Sequence, residues 1–166
     1  MKKIFVLSDF GPDVGLGHYK RSRILKDEIK KYFNYVNVKN FYFGSDRSLK
    51  EKLVSKKKFK KFLEKKINQS RPDCIILNIS RSFENMIIEE IIILKKTFPS
   101  IQINSIDGNP YNSKIYNLLW IPNIYLEKKH QKKKNIIYGW DKILIEKKNK
   151  KKITKDKKML LVSIGG

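Results

Sequence analysis

Along this chain, apolar runs of strand length alternate with longer segments of helical period. Lys2 to Ser8 contains the first compact run, Ile4 to Leu7, and reads as a strand. From His18 to Phe33, the apolar residues Ile24, Leu25, Ile29, Tyr32 and Phe33 recur at spacings near three and four with charges between them, which predicts an amphipathic helix. Val36 to Phe43 alternates through Val36, Val38, Phe41 and Phe43, the period of a strand, and Gly44-Ser45-Asp46 closes it with residues that start helices. Leu49 to Ile67 is then expected to be helical, with its lysines outward.

The run Cys74 to Ile79 is apolar without alternation, so both of its faces are expected to be covered and the strand to be central. Ser82-Phe83-Glu84-Asn85 opens a helix that runs through Phe98 and is stopped by Pro99. Ile101 to Ile106 is a fourth strand, ended by the turn cluster Asp107-Gly108-Asn109-Pro110, and Leu118 to Ile121 a fifth. Ile136 to Ile145 could hold another strand, with a turn at Gly139. Strands separated by helices imply an α/β fold, Rossmann-like, with a mostly parallel sheet flanked by helices.

Length allows one ordinary domain with a real core in 166 residues. A net charge of +22 and a pI near 10.0 would point to nucleic acid or an anionic surface. Only five of the 38 basic residues are arginines, however, and the lysines come with many asparagines and isoleucines, the signature of A/T-rich codons. Arginine makes the bidentate phosphate and guanine contacts, so its scarcity argues against nucleic acid as the main partner. The charged blocks Glu127 to Lys134 and Glu146 to Lys158 read as solvated loops or helix surface, with His130 on the surface.

The single cysteine, Cys74, excludes an internal disulfide and a Cys-based zinc site, and its apolar run implies a buried thiol. No metal and no cofactor are expected. The first apolar run is broken by Asp9 and Gly11 well short of a signal peptide's core, and no run approaches a membrane span, which leaves the cytoplasm as the expected location.

The candidate chemistry lies between the first strand and the first helix, in Ser8-Asp-Phe-Gly-Pro-Asp-Val-Gly-Leu-Gly-His18-Tyr-Lys-Arg21. Gly11, Gly15 and Gly17 allow tight turning and close approach of a ligand. A strand, a Gly-rich turn and a helix start together can face an anion with free N–H groups and the positive helix end. His18 can exchange protons near neutral pH, or simply cap the helix. Asp9 suits a turn cap as well as catalysis, and Asp107 and Asn123 suit turns as well as ligand contacts. The third glycine of a dinucleotide fingerprint is replaced by Lys20, and no acid clearly ends the second strand, which argues against NAD.

Asp9, Val14, Gly15, Gly17, His18 and Arg21 stand at the spacing of a motif of the PseG/SpsG family, which this stretch resembles. Fainter similarity continues through Pro72-Asp73 to Leu77, Ser105-Ile-Asp107, Pro122-Asn123-Ile-Tyr125, Tyr138-Gly139 and Val162-Ser-Ile-Gly-Gly166. The family's best-known member hydrolyses a UDP-linked 2,4-diacetamido sugar in pseudaminic-acid biosynthesis and has the two-Rossmann-domain glycosyltransferase-B (GT-B) architecture. The resemblance implies that residues 1–158 are the N-terminal domain with a basic linker, and that 159–166 begin the C-terminal nucleotide-binding domain.

It also implies roles. His18 would be the base that activates water and Asp9 its orienting partner. Gly15, Gly17, Arg21, Asp107 and Asn123 would contact the substrate. Three positions depart from the family pattern: Leu7 stands for an arginine, Asn78-Ile79-Ser80 for Asp-x-Tyr, and Gly108 for an aspartate. With the uridine diphosphate domain beyond Gly166, the chain by itself is expected to be weak or inactive unless a separate C-terminal polypeptide completes it. The alternative is a non-catalytic basic module that holds an anionic partner such as nucleic acid.

Overall fold

The structure, a computed structural model, describes residues 1–11, 14, 16–44, 53–122 and 126–139. Seven strands form one sheet: β1 (Lys2–Asp9), β2 (Val36–Phe43), β3 (Leu53–Val54), β4 (Cys74–Asn78), β5 (Gln102–Ile106), β6 (Leu118–Ile121) and β7 (Ile136–Tyr138). Their spatial order is β3-β2-β1-β4-β5-β6-β7, and every pairing is parallel. The helices are α1 (Gly17–Tyr32), α2 (Phe59–Ser70), α3 (Arg81–Thr97) and the short α4 (Lys128–Gln131). This is the expected α/β, Rossmann-like architecture.

Alternation along the strands sends successive side chains to opposite faces. Phe5 and Leu7 of β1 join Ile75 and Leu77 of β4 in a core covered by Phe59, Leu63 and Ile67 of α2 and Phe83, Ile87 and Ile91 of α3. Ile4 and Val6 lie on the other face, where Leu25 and Ile29 of α1 meet Val38, Ile76, Ile106 and Trp120. Unbroken apolar character made β4 readable as central, and it is the fourth of the seven strands.

Strand order reverses between β1 and β4, so the chain winds away from this point in both directions. In open α/β sheets a crevice forms outside the carboxyl ends of the strands at such a reversal. Gly44, which follows β2, lies beside the chain that leaves β1. There the backbone passes so near Phe10 that a Cβ would lie 1.9 Å from the Phe10 carbonyl oxygen, which only glycine tolerates.

Three expectations are corrected. The helix expected over 49–67 begins only at Phe59, because Leu53 and Val54 pair with Tyr42 and Phe43 as an edge strand and a 3-10 turn, Lys56–Lys58, intervenes. His130 is buried, not a surface residue: it is 3% exposed and meets Tyr111 edge to face at 4.7 Å between ring centres. The four-residue helix turns this one ring inward while its lysines stay in water, a distinction that a charged run hides. The thiol expected to be buried at Cys74 is half-buried and takes a hydrogen bond on Sγ from Asn104 at 3.3 Å; the burial it has pushes it up to about 11. The expected turn at Pro122-Asn123, Trp140, the strand's continuation to Ile145 and the fresh strand at 159–166 fall wholly or partly outside the described residues.

Candidate functional site at the strand reversal

Asp9 ends β1, His18 lies in the first turn of α1, and the two meet at the strand reversal. His18 Nδ1 lies 2.7 Å from Asp9 Oδ1. The carboxylate can only accept, so it sets Nδ1 as the ring's protonated nitrogen and leaves Nε2 as the one that can take a proton. The Asp9 side chain is fully buried and that of His18 is 13% exposed. The ring is therefore held from below and reached from above.

Residues at the end of β4 complete the support. Ser80 donates to Asp9 twice, from its backbone N–H at 3.0 Å and from its hydroxyl at 2.5 Å. The same hydroxyl oxygen caps α3 by accepting from the Phe83 N–H at 3.3 Å. Asn78 Nδ2 donates to the His18 carbonyl at 2.7 Å, which ties the first turn of α1 to β4. The Lys56 ammonium lies 3.5 Å from Asp9 Oδ2 and 5.0 Å from the centre of the Phe83 ring.

Burial works to raise the Asp9 carboxyl, but hydrogen bonds from His18 and Ser80 and the attraction of His18 outweigh it, so the carboxyl sits below its usual range. A carboxyl depressed by folding adds stability that is complete above its unfolded value of about 3.9 and is lost as pH falls through the lower folded value. Asp9→Asn should therefore be less stable than the parent at neutral pH. The gap in urea midpoint should narrow below about pH 4, the unfolded value; a gap constant down to acid pH would contradict this account of Asp9.

Arg21 lies one turn beyond His18 on α1. Burial pushes its guanidinium down from the ordinary value, while the charge of Asp107 at the end of β5 works in the other direction. Asp107 has a left-handed backbone, φ 61°, and its N–H bonds the Trp120 carbonyl at 2.7 Å. Behind it, Glu84 is 1% exposed and accepts from the Asn109 N–H at 2.8 Å, from Asn112 Nδ2 at 3.3 Å and from the Tyr116 hydroxyl. Glu84 thus ties the loop after β5 to α3.

Of the candidate residues, Asp9 and His18 are in direct contact. Arg21 has its Nη1 buried without a hydrogen-bond partner among the described residues, and feels Asp107 through its charge; Gly15 and Asn123 lie outside the described residues. Gly17 is the first residue of α1, and a Cβ there would meet nothing within 4 Å, so the fold itself does not need glycine at this position. Helix α1 starts without a side-chain cap and without an acid in its own first turn; the carboxylate held against this turn is that of Asp9, through His18. The sequence reading gave Ser80, Asn78, Glu84 and Lys56 no role in the site. Ser80 could have been found as the serine before an apolar helical run, whereas Lys56 is one lysine among many.

Among the described residues no three His, Cys, Asp or Glu side chains are grouped to hold a metal, and no helix is long and apolar enough to cross a membrane. No family model matches the chain, and no curated protein matches it. A solved structure of a candidate lipoprotein (fragment) from Peptoclostridium difficile 630 is similar at 14% identity and a TM-score of 0.48, over 83% of this chain and 84% of that one. At that identity and score the likeness supports no inference about this chain.

Proposed function

We propose that this chain carries the water-activating side of a nucleotide-sugar hydrolase of the GT-B type, similar to the PseG/SpsG family. The observation that supports this most is the Asp9–His18 pair at the strand reversal, with Nδ1 held by a buried carboxylate at 2.7 Å. An imidazole oriented in this way suits general-base chemistry at neutral pH. In the reaction, His18 Nε2 takes a proton from water while the water oxygen bonds to the anomeric carbon. The bond from that carbon to the diphosphate oxygen breaks, and UDP leaves with the electron pair.

Asp9 keeps the ring in the productive tautomer. Gly15 and Gly17 let the loop approach the sugar, and Arg21, Asp107 and Asn123 hydrogen-bond it. The departing diphosphate needs positive charge or a helix N-terminus, which in the GT-B architecture a second Rossmann-like unit supplies.

The test is release of UDP from a UDP-2,4-diacetamido-2,4,6-trideoxy sugar in isotopically labelled water, with this chain alone and mixed with a candidate C-terminal half. The expected result is UDP release only in the mixture, or much faster there, with the label on the sugar's anomeric oxygen. Label in the phosphate, or no release under either condition, would overturn the proposal.

A further inference from the structure

Helix α2 and the 3-10 turn before it separate their charges by face. Lys57, Lys58, Lys60, Lys61 and Lys65 line one open groove together with Val54 and Phe62, and among the described residues no acidic side chain lines it. Glu64 lies in the neighbouring hollow shared with Glu90 of α3, and Lys60 stands on the border and lines both. The five lysines are exposed and Phe62 is half-buried. Lys66 covers the rings of Phe41 and Phe62, with its ammonium 5.8 and 6.0 Å from their centres.

Lys61 and Lys65 stand one helical turn apart, about 6 Å along the axis at about 1.5 Å per residue. Lys57 and Lys58 prolong the row towards the turn. This repeat is comparable to that of successive phosphates in an extended single strand. Lysines bind phosphates as point charges and do not need the bidentate geometry of the scarce arginines.

We propose that this groove binds single-stranded nucleic acid through its phosphates, without base preference. The overall charge of the chain does not decide this; the decisive features are the concentration of lysines on one concave face and the exclusion of Glu64 from it. The site is separate from the Asp9–His18 pair, and its test contains no sugar nucleotide.

Fluorescence anisotropy with an end-labelled oligothymidylate of about 20 nucleotides, longer than a usual single site, reads the binding. Titrations from about 50 to about 200 mM salt give the slope of log affinity against log salt. Two quadruple variants are compared with the parent: lysine to glutamine at Lys57, Lys60, Lys61 and Lys65, and the same change at the exposed Lys96, Lys128, Lys132 and Lys134. Both remove the same charge with little change in helix propensity.

At the low end of that salt range the groove variant should bind at least roughly tenfold more weakly, with a slope reduced by about three, since each lost phosphate contact contributes about 0.7. The control variant should keep most of the affinity and slope. Equal losses in the two variants would reduce the effect to diffuse charge and overturn the proposal, as would undetectable binding by the parent. Vesicles of phosphatidylglycerol that compete only through the groove lysines, with no oligonucleotide binding, would replace nucleic acid by lipid and also overturn it.

Discussion

His18→Ala is expected to lower UDP release by about 10²- to 10⁴-fold, the range of a positioned general base. The loss should appear in kcat, because the ring acts on water and not on substrate affinity. Folding should survive the change. The ring is part-exposed, and Asp9 keeps both hydrogen bonds from Ser80 and its contact with Lys56. Asp9→Asn provides the internal control. An asparagine can present its amide nitrogen to Nδ1 and so stabilise the other tautomer, placing the proton on Nε2, where a base must be free. Its loss should approach that of His18→Ala, and the double variant should be little worse than either single one, as expected for residues that act as a unit. Full turnover in His18→Ala would remove this residue from the mechanism, and strictly additive losses would separate the two roles.

Glu84→Ala is expected to cost about 3 kcal/mol or more of stability, the largest loss of a single polar side chain predicted here. Its side-chain oxygens serve three donors in a site 1% exposed. Truncation leaves the Tyr116 hydroxyl buried and the Asn109 N–H part-buried without their acceptor, and a buried unsatisfied group costs about 1–3 kcal/mol. Against a total stability of about 5–15 kcal/mol this is a large fraction, and at roughly 2–4 °C per kcal/mol the melting temperature should fall by about 10 °C. Glu84→Gln should lie between the two, because it keeps the volume but turns one acceptor towards donors. Since Glu84 anchors the loop that follows β5, the alanine variant should also loosen the backbone at Asn109. Unchanged thermal unfolding would show that the loop is held by other contacts.

The elements were largely legible because burial imposes periods on the chain. The β1, β2 and β6 runs were readable almost to the residue, and the unbroken run from Cys74 marked the central strand. The edge strand β3 was not legible. Two residues carry no period, and their strand state comes from pairing with Tyr42 and Phe43. His130 was misplaced for a related reason: among lysines a histidine reads as surface, and only the ring of Tyr111 against it reveals a buried position.

The candidate site shows the same division. A strand, glycines and a histidine at a helix start are local features, so Asp9 and His18 stood out before any coordinates. Their support did not, because Ser80 lies 71 residues from Asp9 and Asn78 lies 60 from His18. Asn78-Ile79-Ser80 looked like a loss of polar groups relative to the resembling family, yet two of its side chains hold the site together. Most strands and helices, and the placing of Asp9 at a strand end and His18 at a helix start, follow from short-range periodicity along the chain. Which distant groups satisfy the buried Asp9 carboxylate, that Leu53 and Val54 pair as an edge strand, and which face of α2 gathers lysines follow only from the folded arrangement. Those outcomes depend on the parallel pairing of β1 with β4 and of β2 with β3, and on the side of the sheet that each helix covers.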